Sequence, residues 1–297
     1  MLYNYSLLVA ENNNRKRKKI ILIILSIILI IISILCGIVK AEKYKIAQYA
    51  KNIEMESNLI KEKQRIIEEQ ERIRLKNSKP LTEEQLQSIE NIYSQEKKSV
   101  FLTFDDGPTE AVTPFILDLL KQENIKATFF VLGNRAKANP ELIQREFNEG
   151  HYIANHGYTH RYSSIYQNSQ TVLDEYNYTE SCIQQALGNP DYHSRVFRFP
   201  GGSAGGYYHD IKKDAKAYLR QNNIASLDWN ALTNDAAGAH TKEALLENAI
   251  NTIGNKNSVV ILMHDSADKI LTYETLPDLI KYLRDNGYTF KTLYDII

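Results

Sequence analysis

Apolar positions follow three successive rhythms along the chain. From Ile20 to Val39 almost every residue is isoleucine or leucine, with Ser26, Ser33, Cys36 and Gly37 the only interruptions. Twenty residues at a rise of 1.5 Å span about 30 Å, the thickness of a bilayer's hydrocarbon layer. From Glu42 to Asn77 the residues are mainly Glu, Lys, Arg and Gln, with no Pro or Gly, and Ile46, Ile53, Ile60 and Ile67 recur every seventh position. That composition predicts a continuous helix. The partner positions Tyr49, Glu56, Lys63 and Gln70 are mostly polar, so only half of a coiled-coil seam is present. A solvated stalk is the expected reading, and a weakly dimerising helix the alternative. Asn77-Ser78-Lys79-Pro80 ends the stretch, and Leu81 to Lys98 reads as a short amphipathic lead-in.

From Ser99 onward short β-rich apolar runs alternate with helical stretches. Strands are predicted at 100–104, 127–132, 152–154, 196–199, 225–227, 259–262 and 288–290. Helices are predicted at 140–148, 170–187, 212–221, 242–253 and 273–285, with a further one beginning at Thr113 as cap and Pro114 as first residue. Such alternation predicts an α/β fold on a parallel sheet, open or closed into a barrel. The expected layout is therefore a basic N-terminus (1–19), a membrane helix (20–39), a stalk and lead-in (40–98) and a catalytic domain (99–297).

Charge sharpens the first segment. The run Arg15-Lys16-Arg17-Lys18-Lys19 abuts the apolar stretch. A buried core helix has no reason to carry such a block on one flank, whereas a membrane helix uses it to hold that flank in the cytoplasm. The expected topology is single-pass in the cell membrane, with the catalytic domain extracellular. Val39-Lys40-Ala41 would tolerate cleavage before Glu42, but the apolar region is longer than the ~7–15 residues usual in a signal peptide, so an uncleaved anchor is expected. Over the whole chain 36 basic residues balance 36 acidic ones. That excludes nucleic acid as the main partner, since neutralising phosphates requires a basic excess. Cys36 and Cys182 are not expected to pair.

The candidate chemistry lies just after predicted strands, at the edge where parallel α/β folds build their sites. Asp105-Asp106-Gly107-Pro108 offers two carboxylates pointing different ways; one could bind a metal while the other stays free as a base. His156 and His160 have the spacing of two imidazoles on one side of a helical turn, within reach of one ion. Gly157 follows the first histidine where a zinc protease needs Glu, so that reading is rejected. Two imidazoles and one carboxylate leave coordination positions open for water and substrate. Arg198-Phe199-Pro200-Gly201-Gly202, Asp228-Trp229-Asn230 and Leu262-Met263-His264-Asp265 each end a further strand.

Taken in order, Thr103-Phe104-Asp105-Asp106-Gly107, His156-Gly157-Tyr158-Thr159-His160, Arg198-Phe199-Pro200, Asp228-Trp229 and Leu262-Met263-His264-Asp265 resemble the motifs of the polysaccharide deacetylases, carbohydrate esterase family 4. The resemblance covers Ser99 to Ile297. It implies an irregular (β/α)7 barrel-like domain that removes acetyl groups from a cell-wall glycan, and the anchor and stalk are similar to those of membrane-bound peptidoglycan N-acetylglucosamine deacetylases. It further implies that Asp106, His156 and His160 bind a divalent metal, zinc first, with cobalt or another divalent ion as alternatives. Asp105 would be the general base, oriented by Arg198, and His264 the general acid, tuned by Asp228. The N–H of Gly201 would help hold the oxyanion, and Trp229 and Leu262 would line the acetyl pocket. Two positions depart from the family pattern. Gly157 stands where Ser or Thr is usual, which removes a local side-chain hydrogen bond, and Arg161 stands where Pro is common. Other acetylated glycans, namely chitin oligomers, poly-N-acetylglucosamine and xylan, remain alternatives within the class. A catalytically silent wall-binding protein is the alternative outside it; loss of a ligand, base or acid would mark it, and none is lost.

His151, His193, His209 and His240 have no motif context and are expected to be surface or core residues. Of the tyrosines, Tyr158, Tyr207 and Tyr208 are the candidates for stacking on sugar rings, with packing the expectation for any single one.

Overall fold

A computed structural model describes the backbone of residues 2–238 and 240–297, and the side chains from Arg15 onward apart from Ala239. Met1 and the side chains of 2–14, part of the segment read as cytoplasmic, lie outside the described residues. The chain forms two compact units, Met1–Glu68 and Glu69–Ile297.

Helix α1 (Leu2–Asn77) fills the first unit and ends at the predicted break before Pro80. It carries the one stretch among the described residues long and apolar enough to cross a membrane, and none of that stretch is buried within the chain. Ile46, Ile53, Ile60 and Ile67 are all exposed. Exposed pairs one turn apart, Lys45–Glu42 and Arg65–Glu62, line the stalk. Each contributes only a few tenths of a kcal/mol, roughly, so helix propensity carries most of this segment.

The second unit opens at Glu69, so it takes in the end of α1 and the lead-in as well as residues 99–297. Ile73, Leu81, Leu86, Ile89 and Ile92 are buried in one cluster with Phe101, Phe130, Tyr152 and Val260. Lys76 donates to the carbonyls of Tyr294 and Ile297 at 2.8 and 2.9 Å. Asn77 bridges the Tyr294 hydroxyl (2.7 Å) and Arg195 (2.8 Å). The last turns of α1 and the lead-in α2 (Glu83–Glu90), which Thr82 and Gln85 start with a capping box, are therefore part of the globular core.

Eight strands follow: β1 (Ser99–Asp105), β2 (Thr128–Val131), β3 (Tyr152–Asn155), β4 (Val196–Phe197), β5 (Ala225–Ser226), β6 (Ala231–Leu232), β7 (Ser258–His264) and β8 (Thr289–Phe290). The helices are α3 (Thr113–Gln122), α4 (Gly133–Ala138), α5 (Pro140–Asn148), α6 (Tyr162–Ile165), α7 (Ser169–Leu187), α8 (His209–Gln221), α9 (Lys242–Ile253) and α10 (Ile270–Asp285). Seven strands run in the order β5-β4-β3-β2-β1-β7-β6, and β8 pairs with the start of β1. All pairs are parallel. The sheet curls as an incomplete barrel whose end strands β5 and β6 do not pair with each other.

Three of these elements, β6, α4 and α6, were not among those predicted, and the start of α3 differs. Val112 occupies the cap position without a side-chain bond, because the Thr113 hydroxyl is used elsewhere: it donates to Asp265 at 2.6 Å. Every residue of β1 and β7 is buried, as expected for parallel strands covered on both faces. Alternation then sorts their side chains. Val100, Leu102 and Phe104 join Val259, Ile261 and Met263 under the helices. Phe101, Phe130, Tyr152, Val196 and Val260 fill the inside of the curl. A period of two carries Thr103 and Asp105, His156, Arg198, and Leu262 and His264 onto that inner side, at the C-terminal edge.

Candidate active site

Arg198 is fully buried and organises the centre of the edge. Its Nη1 donates to Asp105 Oδ1 and Thr103 Oγ1, both at 2.8 Å. Its Nε donates to the Leu227 carbonyl and its Nη2 to the Asp228 carbonyl, each at 3.0 Å, and the guanidinium lies 3.9 Å from the centre of the Phe130 ring. A buried charge is tolerable only when paired and hydrogen-bonded this fully. Burial pushes the Asp105 carboxyl up from its ordinary value, and Arg198 opposes the rise. Asp105 is thereby a fixed, water-poor carboxylate with one oxygen tied and the other, Oδ2, facing His156 Nε2 at 3.7 Å.

Asp106, next in the chain, adopts left-handed backbone (φ 76°), which turns its carboxylate away from that of Asp105. Its Oδ1 lies 3.6 Å from His156 Nε2 and 3.5 Å from His160 Nε2. The three ligand atoms lie within 4.8 Å of one another. His156 Nδ1 sits 2.8 Å from the Arg198 carbonyl, which can only accept, so Nδ1 carries the proton and Nε2 presents its lone pair. Burial holds this imidazole down at about 3, neutral and ready to ligate, although Asp106 opposes the shift. Asp106 Oδ1 is buried and has no hydrogen-bond partner among the described residues. An orphaned carboxylate oxygen facing two convergent imidazole nitrogens fits a divalent cation.

The two histidines do not stand on a helical turn, as their spacing suggested. β3 stops at Asn155, and residues 156–161 form a loop in which Gly157 (φ 79°) and His160 (φ 58°) take left-handed backbone. A β-carbon at 157 would come within 3.0 Å of Ile165. Arg161 donates its N–H to Thr159 Oγ1 at 3.2 Å, a bond that Pro could not make.

His264 does not meet Asp228, the partner that the resemblance implied. Asp228 is turned away: its carboxylate accepts from the N–H and the hydroxyl of Ser203, in the glycine-rich loop. Asp235 meets His264 instead, with Oδ1 2.8 Å from Nδ1 and Oδ2 accepting from the His264 N–H (2.8 Å) and the Thr272 hydroxyl (2.7 Å). Burial alone would lower the His264 pKa, but the Asp235 carboxylate, helped by Asp105 and Asp106, raises it to about 9. β6, whose Leu232 is in register with Leu262 of β7, delivers Asp235 to the neighbouring strand end. The polar turn Thr233-Asn234-Asp235 was the available sequence signal, with only two strand residues before it to reveal the strand.

Gly201 is exposed with φ 74°, and a β-carbon there would sit 2.3 Å from the Tyr162 hydroxyl, so only glycine fits. Among the described residues its N–H has no acceptor. The Trp229 ring packs against Gly202 and lies 5.7 Å from the Arg198 guanidinium. Leu262 precedes His264 by two residues on the same side of β7. Asp265, previously unassigned, lies under the Asp106–Gly107 turn, where any β-carbon on Gly107 would strike its carboxylate. Burial pushes Asp265 up to about 7, Thr113 opposing.

The remaining candidates scatter. Tyr158 packs on Tyr178 (4.4 Å between centroids), and His151 is buried against Phe129. His193 faces Glu180, and His209 accepts from the Gly205 N–H. Tyr208 packs on Tyr166, while Tyr207 is 94% exposed.

Residues 93–221 match the family model described as polysaccharide deacetylase. The chain is 32% identical over 228 residues to a peptidoglycan-N-acetylglucosamine deacetylase of Bacillus cereus, covering 75% of this chain and 79% of that one. An esterase of carbohydrate esterase family 4 from Streptococcus mutans superposes with a TM-score of 0.62 at 32% identity, over 72% of this chain and 91% of that one. The catalytic domain of a peptidoglycan N-acetylglucosamine deacetylase from Eubacterium rectale superposes with a TM-score of 0.59 at 31% identity, over 66% and 88%. With the motif residues gathered at one sheet edge and these likenesses over most of its length, the chain belongs to the polysaccharide deacetylases of carbohydrate esterase family 4 and is a hydrolase.

Proposed function

We propose that this protein removes acetyl groups from N-acetylglucosamine residues of peptidoglycan at the outer face of the cell membrane, using a divalent metal, zinc, at Asp106, His156 and His160. The observation that carries the reading is that Asp105, held by Arg198, and His264, held by Asp235, stand in register at the ends of neighbouring strands, with Asp106 of the three ligand atoms next to Asp105 in the chain. Two imidazoles and one carboxylate suit zinc, which when bound would polarise the amide carbonyl and acidify water.

The chain's own residues supply the rest. Asp105 Oδ2 takes the proton of the attacking water, and Arg198 favours the ionised carboxylate and aims it. As the carbonyl carbon becomes tetrahedral, the Gly201 N–H donates to the developing oxyanion. His264, protonated at neutral pH, donates to the amide nitrogen as the C–N bond breaks, and acetate and a glucosamine leave. Asp235 stabilises the imidazolium before that transfer. Trp229 and Leu262 line the side on which the acetyl methyl sits. Asp228 acts at one remove, holding Ser203 and, through its carbonyl, Arg198.

Ile20–Val39 anchors the chain, with Arg15–Lys19 on the cytoplasmic side and the second unit outside; the apolar helix and the basic flank support this. The purified full chain in detergent should release acetate from peptidoglycan, stop when a chelator removes zinc, and resume when zinc returns. Release from chitin oligomers, poly-N-acetylglucosamine or acetylated xylan in place of peptidoglycan would move the substrate within the class. No release from any of them would overturn the reading.

A further inference from the structure

The two imidazoles of the metal site are held unequally. His156 is fixed through its own ring by the Arg198 carbonyl. His160 has no such hydrogen-bond partner for its ring among the described residues; the ring is a third exposed, faces Asp106 Oδ1, and packs beside the rings of His156 and Tyr162 at 5.2 and 5.6 Å between centroids. Its position depends on the backbone of the loop 156–160, which contains two left-handed residues, one of them His160 itself. A non-glycine residue holds that conformation only where its surroundings enforce it.

The start of α4 holds the loop's carbonyls, Gly133 and Asn134 donating to Gly157 O and Tyr158 O at 3.0 and 3.2 Å, and α7 holds its amides. Glu175 Oε2 accepts from the N–H groups of Tyr158 (2.5 Å) and Thr159 (3.0 Å), and its Oε1 accepts from the Thr159 hydroxyl (3.3 Å). Asn155 adds a second tie from α7: its Nδ2 donates to the Tyr176 carbonyl (3.0 Å) and to Glu180 (3.2 Å), and its Oδ1 accepts from the Gly157 N–H (3.0 Å). The helix that provides these anchors is itself stiffened by the Asn168–Thr171 capping box. Every free amide from 157 to 159 is thus spoken for, without any side chain on residue 157.

We propose that Glu175 is a positioning residue for the metal site, clamping the 156–160 loop so that His160 stays aimed at Asp106 and His156. It does for His160 what the Arg198 carbonyl does for His156. The inference rests on the metal-site reading above. Charge-assisted bonds from two adjacent amides to one oxygen are short and strong, and partners of this kind commonly set metal affinity.

The test uses the full chain in detergent, zinc titration against a chromophoric chelator, and amide hydrogen exchange on the metal-free protein. Glu175→Ala should raise the zinc dissociation constant about 10–100-fold. It should also speed exchange at Tyr158 and Thr159, while kcat recovers when zinc is in large excess. Glu175→Gln keeps an oxygen for both amides and should stay within about threefold of the wild type. An unchanged zinc constant in Glu175→Ala overturns the proposal. Should that variant fail to fold, Glu175→Asp, one methylene too short to reach both amides, decides: weaker zinc binding supports the clamp and unchanged binding overturns it. A wild-type chain that takes up no zinc overturns the metal-site reading itself, whereas wild-type uptake with no effect of substitution overturns the role of Glu175 alone.

Discussion

Replacing Asp235 with Asn tests which carboxylate governs the acid. In the folded chain His264 titrates at about 9, against an ordinary 6.5. That rise of two to three units corresponds to roughly 3 kcal/mol favouring the imidazolium, at about 1.4 kcal/mol per unit. Asp235 supplies the largest raising contribution, while burial pulls the other way and would remain in the variant. The His264 pKa of Asp235→Asn should therefore fall to about 6.5 or below. At pH 7.5 the protonated fraction would drop from nearly all to about a tenth, so kcat should fall about tenfold or more from protonation alone. Histidine NMR titration of the metal-free chain measures the pKa, and acetate release between pH 5.5 and 10 follows the alkaline limb of kcat. The limb should move toward acid by about two and a half pH units or more. Because the folded pKa is raised above the unfolded one, the stabilisation from this pair is fully present below about 6.5 and lost as pH rises through about 9. The Tm difference between wild type and variant should shrink over that window. Asp228→Asn is the control, since that carboxylate touches Ser203 and not His264. An unmoved limb in Asp235→Asn, or an equal shift in Asp228→Asn, would refute the assignment.

Three further outcomes are expected. Asp105→Asn should bind zinc as the wild type does yet lose acetate release, because an amide cannot take the water's proton while the ligand set is untouched; retained turnover would remove Asp105 as the base. Gly201→Ala should lower both Tm and kcat, the first by about 1–2 kcal/mol in unfolding free energy, because φ 74° disfavours a β-carbon that also meets the Tyr162 hydroxyl. Tyr162→Phe in the same chain should restore part of the loss. Shortening the protein to start at Leu81 should lower its Tm relative to one starting at Glu69, since it deletes the buried Ile73 and the bonds of Lys76 and Asn77; equal Tm values would show that the last turns of α1 are dispensable.

The residues of the site could be read in advance wherever local rules suffice. Each of Asp105, His156, Arg198 and His264 lies at or just after the end of a predicted apolar run, and that already placed them at one edge of the sheet; the side they share came from the structure. A stretch of twenty residues made almost wholly of Ile and Leu beside a basic block needed no partner to be read as long and apolar enough to cross a membrane. The helix at 242–253 agreed to the residue because its start, with Thr241 capping, and its stop at Gly254 are encoded locally.

Partner choice was settled only by tertiary structure. Asp228 and Asp235 are both short acidic side chains beyond short strands; which one meets His264 depends on β6 lying beside β7, a pairing made by two residues of each strand. The loop carrying His156 and His160 departs from a helical turn because Glu175 and Asn155, set by the packing of α7, hold its amides in another shape. Thr113 gives up its capping role to Asp265, far away in the chain. Ile73 to Ile92 looked like stalk and lead-in because an amphipathic segment shows that it has an apolar face, not what covers that face. Sequence by itself determined the class of fold and the long apolar helix at 20–39, and it singled out the candidate site residues, since these depend on periodicity and residue chemistry. The three-dimensional fold decided which groups hold one another, because hydrogen bonds between distant segments depend on strand order and register, which local pattern does not carry.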